Sequence, residues 1–401
     1  MKKQTKDRNR RNFIKKCGLS TVPFLIPSID LGTAQILEDQ NLKPTSNKTP
    51  VNFIYDGLAL SPQGYLEKLN EIQKRNPIEQ DFYGYGGATK LLEDKFAKLT
   101  GKEKAIYLPT GTMANQLAIK LLNGNKTKVI VPENSHVFRD EADAAQSVHQ
   151  LRLVPIGKDK SFFELEDLKQ AIDYVDKNEV FKSGLGTIVI ENPVRRANGT
   201  AVPIETIKEI SNYCKQQGYK MHLDGARIHL ASAFTKVSLI EYASCFDTVY
   251  ISLYKYLNTT GGAILCGEAK LIDQISHQIK ILGGATYQSW FNTSVALHYL
   301  DGISDRLNQV VRTTEKLIVE LNKIDGLHIH SIKNGTNIYQ LKLDSQIDSK
   351  KMAEFLFKEH QISLRINEDE TIRFAVNESL LQRDYQEIVS AWIAAVAYAH
   401  N

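Results

Sequence analysis

Between Lys104 and Ser252 the chain alternates short apolar runs with amphipathic stretches at helical spacing, and few folds accept that pattern. Lys104–Leu108, Lys128–Val131, Gly186–Ile190, Lys220–Leu223 and Thr248–Ser252 read as strands. Thr112–Leu122, Phe163–Asp173, Ile204–Gln217 and Val237–Ala243 read as the helices between them. Short apolar strands separated by helices belong to a mostly parallel sheet covered on both faces, so the fold class expected is α/β. Upstream, Ser61–Arg75 and Lys90–Leu99 read as helices, the second ending at Thr100-Gly101. Downstream, a helical region from about Trp290 to Ile324, paired strands within 326–343, a helix at Ser349–His360, a strand at Thr371–Val376 and a helix at Leu381–His400 describe a smaller α+β unit. The division expected is a large domain over 51–300 and a small C-terminal domain over 301–401.

The 401 residues are 42% hydrophobic, enough for a large core and two domains, and no apolar run reaches the roughly 18 residues that span a bilayer. Cys17, Cys214, Cys245 and Cys266 have no CxxC spacing, so neither a disulfide framework nor a metal site is expected. The start is different in kind. Residues 1–16 hold eight Lys/Arg and one Asp, followed by the apolar Val22-Pro23-Phe24-Leu25-Ile26. This is the layout of an export signal, and Arg10-Arg11-Asn12-Phe13-Ile14-Lys15 resembles the twin-arginine motif. A signal over 1–34 and a polar linker over 35–50 are expected, with a periplasmic location; a solvated basic tail on a cytoplasmic protein is the other reading. Without residues 1–16 the formal net charge of +4 becomes −3, which removes the charge argument for nucleic-acid binding. No membrane contact is expected once the signal is gone.

Ligand sites in open α/β sheets lie beyond the carboxyl ends of the strands. After Leu108 comes Pro109-Thr110-Gly111-Thr112, an ordinary capped helix start or, equally, a phosphate-binding helix N-terminus. After Val131 comes His136, a structural loop histidine or a catalytic one. Asp224 ends another strand and needs a cation, either Arg227 or a protonated ligand nitrogen. Lys255 follows Val249–Ser252 and precedes Thr259-Thr260-Gly261-Gly262. It is a solvated strand end or a desolvated amine able to form a Schiff base.

Several segments, in order, carry a resemblance over about 51–401. They are Tyr83-Gly84, Leu99-Thr100-Gly101-Lys102, Thr110–Ala118, Glu191-Asn192, His222–Arg227, Leu253 with Lys255, and Leu282-Gly283-Gly284. The chain resembles the fold-type I pyridoxal-phosphate enzymes, and within them the threonine aldolase/aromatic amino acid β-eliminating lyase family. The resemblance implies pyridoxal 5'-phosphate as cofactor, an amino acid substrate, and cleavage of the Cα–Cβ bond of a β-hydroxy-α-amino acid. β-Elimination, or cofactor binding without catalysis, are the alternatives. It implies that Lys255 binds the cofactor covalently, Asp224 pairs with the pyridine nitrogen and His136 stacks on the ring. Gly111, Thr112 and Ser252 would hold the phosphate; Arg227 would contact the ring oxygen and, with Arg373, the substrate carboxylate. It also implies a homodimer or homotetramer.

The substrate shell departs from the family pattern. Tyr254 stands where a serine precedes the lysine, and Tyr55-Asp56-Gly57-Leu58 replaces Arg-Ser-Asp-Thr. Tyr85-Gly86-Gly87-Ala88 replaces Glu-Asp-Pro-Thr, and Glu191-Asn192-Pro193-Val194 replaces Glu-Asn-Thr-His. No histidine occurs between His149 and His222. Asp56 and Tyr85 are therefore expected to touch substrate, with Asp56 favouring a cationic or hydroxylated group.

Overall fold

The computed structural model describes residues 45–367 and 371–400. The segment read as an export signal, and the linker up to residue 44, lie outside the described residues. Strand β1 (Val51–Asn52) precedes two helices, Pro62–Arg75 and Gly87–Thr100. The first is capped by Ser61, whose Oγ accepts the Gly64 N–H at 3.1 Å. The second stops at Gly101, which takes the left-handed conformation at φ 66.

The central sheet has seven strands: β2 (Lys104–Leu108), β3 (Lys128–Pro132), β4 (Arg152–Ile156), β5 (Leu185–Glu191), β6 (Lys220–Asp224), β7 (Thr248–Ser252) and β8 (Ala263–Gly267). Their order is β2-β8-β7-β6-β5-β3-β4. β8 alone runs against the rest, pairing antiparallel with both β2 and β7. All five residues of β7 are buried, as are all five of β8, which is why these segments read as unbroken apolar runs. The consequence for function is geometric. β2, β3, β5, β6 and β7 end on one edge of the sheet, at Leu108, Pro132, Glu191, Asp224 and Ser252, and the polar segments follow them there.

The C-terminal part contains β9 (Leu327–His330), β10 (Ile338–Leu343), β11 (Ile362–Ser363) and β12 (Ile372–Ala375), with helices Ser349–His360 and Tyr385–Ala399. β12, β10 and β9 form an antiparallel sheet, and β11 pairs in parallel with β1. Here the division at residue 300 needs correction at both ends. Val51 N–H donates to Gln361 O and Phe53 N–H to Ser363 O, while Ala375 N–H donates to Phe53 O, each at 3.0 Å. Residues 51–53 thus thread between β11 and β12. Phe53 is fully buried and stacks on Phe374 at 4.2 Å between ring centroids, with Trp392 edge-on at 5.9 Å. Helix Ile303–Leu321 serves both cores: Leu307 and Val311 pack into the large one, Val310, Leu317 and Leu321 into the smaller. The helical region after Trp290 is also two helices, Trp290–Leu300 and Ile303–Leu321, parted at Gly302 with φ 64.

Candidate active site

A cleft of about 410 Å³ opens at the shared strand edge, lined by Thr110, Gly111, Thr112, His136, Glu191, Asp224, Arg227, Tyr254 and Lys255 among others. Segments more than a hundred residues apart meet there because their strands are neighbours in the sheet.

Lys255 is 7% exposed, and its Nζ lies 5.5 Å from the Tyr254 ring centroid. Burial, reinforced by the Arg227 charge, lowers its pKa to about 8 against the pull of Asp56, Asp224 and Glu191. Asp224 is buried; its Oδ2 accepts from Asn115 Nδ2 at 3.1 Å and its Oδ1 from the Ala226 N–H at 3.2 Å. Arg227 does not pair with it. Instead Arg227 donates through Nε and Nη2 to Asp56 at 3.0 and 2.8 Å, so Asp224 makes no ion pair among the described residues. A buried carboxylate facing a cleft without a cation is costly, and a cationic ligand atom relieves it.

His136 opens a short helix, capped by Ser135. Its N–H donates to Glu191 Oε2 at 2.6 Å, and Nδ1 lies 2.9 Å from Glu141 Oε1. Burial works to lower its pKa, but the Glu141 hydrogen bond and the Asp224 charge prevail and raise it. Glu191 accepts from Arg195 N–H as well, at 2.8 Å, so one buried carboxylate ties two loops over the cleft. Burial and nearby Asp224 raise its pKa against those two N–H groups. Asn115 joins the arrangement together, donating to Glu141 Oε1 at 2.7 Å and meeting His222 Nε2 through Oδ1 at 3.0 Å.

Thr110 caps helix Gly111–Asn123, accepting the Met113 N–H at 3.2 Å. The N–H groups of Gly111 and Thr112 have no intrahelical acceptor, and both residues line the cleft, an arrangement suited to an anion. A Cβ at Gly111 would collide with Tyr250 Oη, so backbone and tyrosine form one close-fitting wall. Ser252, the last residue of β7, is buried and is not among the residues lining the cleft.

These features fit pyridoxal phosphate. Asp224 suits a protonated ring nitrogen, the first turn at Gly111 and Thr112 suits a phosphate, and Lys255 is a desolvated amine.

Of the residues expected to touch substrate, Arg227 lines the cleft, while Asp56, Arg373 and Tyr85 do not. Asp56 is turned to Arg227, with Tyr256 Oη donating to it at 3.3 Å. The loop carrying it is fixed by Leu58 N–H donating to Asn258 Oδ1 at 2.8 Å, three residues past Lys255. Arg373 lies in β12, and its charge is felt at Asp56. Tyr85 is 71% exposed and borders a second cavity with Tyr83, Glu93 and Tyr107. Reading strand ends did not find Glu141, Asn115 or Glu191 as site residues. Asn115 and Glu191 sit inside segments that carry the family resemblance, which was the available signal; Glu141 had none beyond closeness to His136.

This sheet order and this cleft are those of a fold-type I pyridoxal-phosphate enzyme. Residues 66–343 match the family model described as Beta-eliminating lyase, and the chain belongs to that family. A low-specificity L-threonine aldolase of Candida albicans is 27% identical over 278 residues, 69% of this chain and 73% of that protein. An alanine racemase of Cochliobolus carbonum is 30% identical over 290 residues, 70% of this chain and 72% of that one. A solved threonine aldolase of Leishmania major shares the fold with a TM-score of 0.66 at 17% identity, over 86% of this chain and 98% of that one.

Proposed function

We propose that the chain is a pyridoxal-phosphate-dependent lyase that cleaves the Cα–Cβ bond of β-hydroxy-α-amino acids to glycine and an aldehyde. The observation that carries this reading is the meeting of Lys255, Asp224, His136 and the Gly111–Thr112 helix start in one cleft, in a family member whose relatives include low-specificity threonine aldolases. The chemistry that the cofactor supplies when bound is an electron sink for the bonding pair released at Cα.

Each residue has a separate task. Lys255 would hold the cofactor through its amine, and with a pKa lowered to about 8 it keeps a protonated fraction near pH 7 that would supply the proton gained at Cα. Asp224 keeps the ring nitrogen protonated. Gly111 and Thr112 hold the phosphate through their N–H groups. With Glu141 accepting from Nδ1, His136 presents Nε2 as the acceptor for the β-hydroxyl proton. Tyr254 is 47% exposed at the cleft, and burial of its inner part raises its pKa, so its hydroxyl stays protonated and is not the base.

Incubating the cofactor-loaded protein with threonine, phenylserine and serine tests the proposal. Acetaldehyde or benzaldehyde with glycine is expected; pyruvate and ammonia from serine, with no aldehyde from the others, would establish β-elimination instead. The basic start followed by apolar residues supports export by the twin-arginine route, and a mature protein beginning near residue 34 is expected; native protein retaining Met1 in the cytoplasm contradicts it. Exposed Phe82, Tyr83, Tyr85 and Tyr287 support pairing with a second copy, to be checked by light scattering.

A further inference from the structure

Arg227 is the only arginine lining the cleft among the described residues, and its fork is already filled. Asp56 Oδ1 accepts from Nε at 3.0 Å and Oδ2 from Nη2 at 2.8 Å. That two-point contact is how an arginine receives a carboxylate from a ligand. Here the carboxylate belongs to the protein. The pair is largely sheltered, with side-chain exposures of 12% for Arg227 and 25% for Asp56. Asp56 is held from other sides as well: Tyr256 Oη donates to it, and Gly57 packs so closely on the Lys255 carbonyl that a Cβ there would clash. The loop has little room to withdraw.

A guanidinium has five N–H donors, and Asp56 uses two of them. What remains towards the cleft is a set of donors whose positive charge is already balanced. The acidic groups of the lining are Asp140, Glu191 and Asp224 and its other basic ones Lys255 and His136, with Arg373 acting on Asp56 from outside the lining. Asp140 is matched by Arg196 at 2.5 Å, outside the lining. A ligand carboxylate brought to Arg227 therefore meets the Asp56 charge in a poorly screened setting, where like charges repel strongly. A neutral carbonyl oxygen needs only the donors and meets no such opposition. Burial alone would raise the Asp56 pKa, but Arg227, Lys255 and Arg373 hold it well below the usual carboxylate range, so Asp56 stays ionised in the pair.

We propose that Asp56 is the specificity-determining residue, and that it selects β-hydroxy-α-amino acid derivatives whose carboxyl group is neutral, as an amide or ester. This deepens, and rests on, the lyase reading above. The reaction balances without oxidant or water: the Cα–Cβ bond breaks, the β-hydroxyl proton leaves to a base, and Cα gains a proton. A β-hydroxy-α-amino amide gives glycinamide and an aldehyde.

Phenylserinamide and phenylserine both release benzaldehyde, so one assay compares them. The cofactor-loaded protein is expected to favour the amide by about 100-fold in kcat/KM, the scale on which a misplaced desolvated charge is felt. Calorimetry is expected to show glycinamide binding more tightly than glycine. Asp56→Ser should shift both preferences towards the free acid. Should Asp56→Ser fail to fold, Asp56→Asn keeps an acceptor for Arg227 without the charge, and the same shift is expected. A wild-type preference for phenylserine, or variants that lose thermal stability while the amide-to-acid ratio stays put, overturns the proposal and leaves Asp56 a structural partner of Arg227. Absence of benzaldehyde from both compounds contradicts the lyase reading itself; the glycinamide-to-glycine comparison then still decides the role of Asp56.

Discussion

Two aspartates close to Lys255 have been given opposite tasks by their neighbours. Among the described residues Asp224 has hydrogen-bond donors but no ion pair, which leaves its charge for a ligand; Asp56 is engaged at two points by Arg227. The engagement has a pH signature. A carboxylate with a depressed folded pKa contributes stability that is present above its unfolded value, 3.8 here, and lost as pH falls below it. Asp56→Asn is therefore expected to flatten the acid limb of a stability-against-pH curve below about pH 4, while an unchanged limb denies the pair its stabilising role. His136 carries the opposite sign. Its pKa is raised from 6.5, so the unprotonated base gains population only above that value, and kcat/KM should still be climbing with pH there. An activity already flat at pH 6 excludes it as the base. At this scale the sequence pointed to Lys255, Asp224, His136 and Arg227, and the structure brings them to one cleft because each stands at or after the end of a strand in one sheet. It did not reveal the pairing of Asp56 with Arg227, since that depends on packing between segments 171 positions apart.

The element that ties fold to site most tightly is helix Gly111–Asn123, whose first turn lines the cleft. Gly111→Ala is expected to destabilise the protein by about 1–3 kcal/mol through overpacking against Tyr250, and to weaken pyridoxal phosphate binding, measured by fluorescence titration. Unaltered affinity would show that the phosphate sits elsewhere. Most elements were legible: Ile204–Gln217 and Ser349–His360 match their helical patterns, and the buried strands match their apolar runs. Strand β4 was not, because it is an edge strand with exposed Arg152 and contains Pro155, which breaks the usual strand signature. The division of the helical region after Trp290 was hidden because Gly302 is a single glycine between the mostly buried helix Trp290–Leu300 and the long amphipathic helix Ile303–Leu321.

Over the whole molecule, the small core is closed by residues from the far end of the described chain. Phe53 sits between Phe374 and Trp392, and Asp56 lies only three positions further along the chain. Phe53→Ala is expected to cost about 3–5 kcal/mol in denaturant unfolding; a loss under about 1 kcal/mol would mean that strand β1 is not part of that core. No local pattern announces such a pairing, since Val51–Asn52 is too short to show a period and its partner lies over 300 residues away. If this architecture serves to hold a cofactor on Lys255, borohydride reduction after incubation with pyridoxal phosphate, followed by peptide mass mapping, gives a single pyridoxyl adduct on the peptide containing Lys255, absent from Lys255→Ala. An adduct centred on another lysine, or none at all, rules that role out.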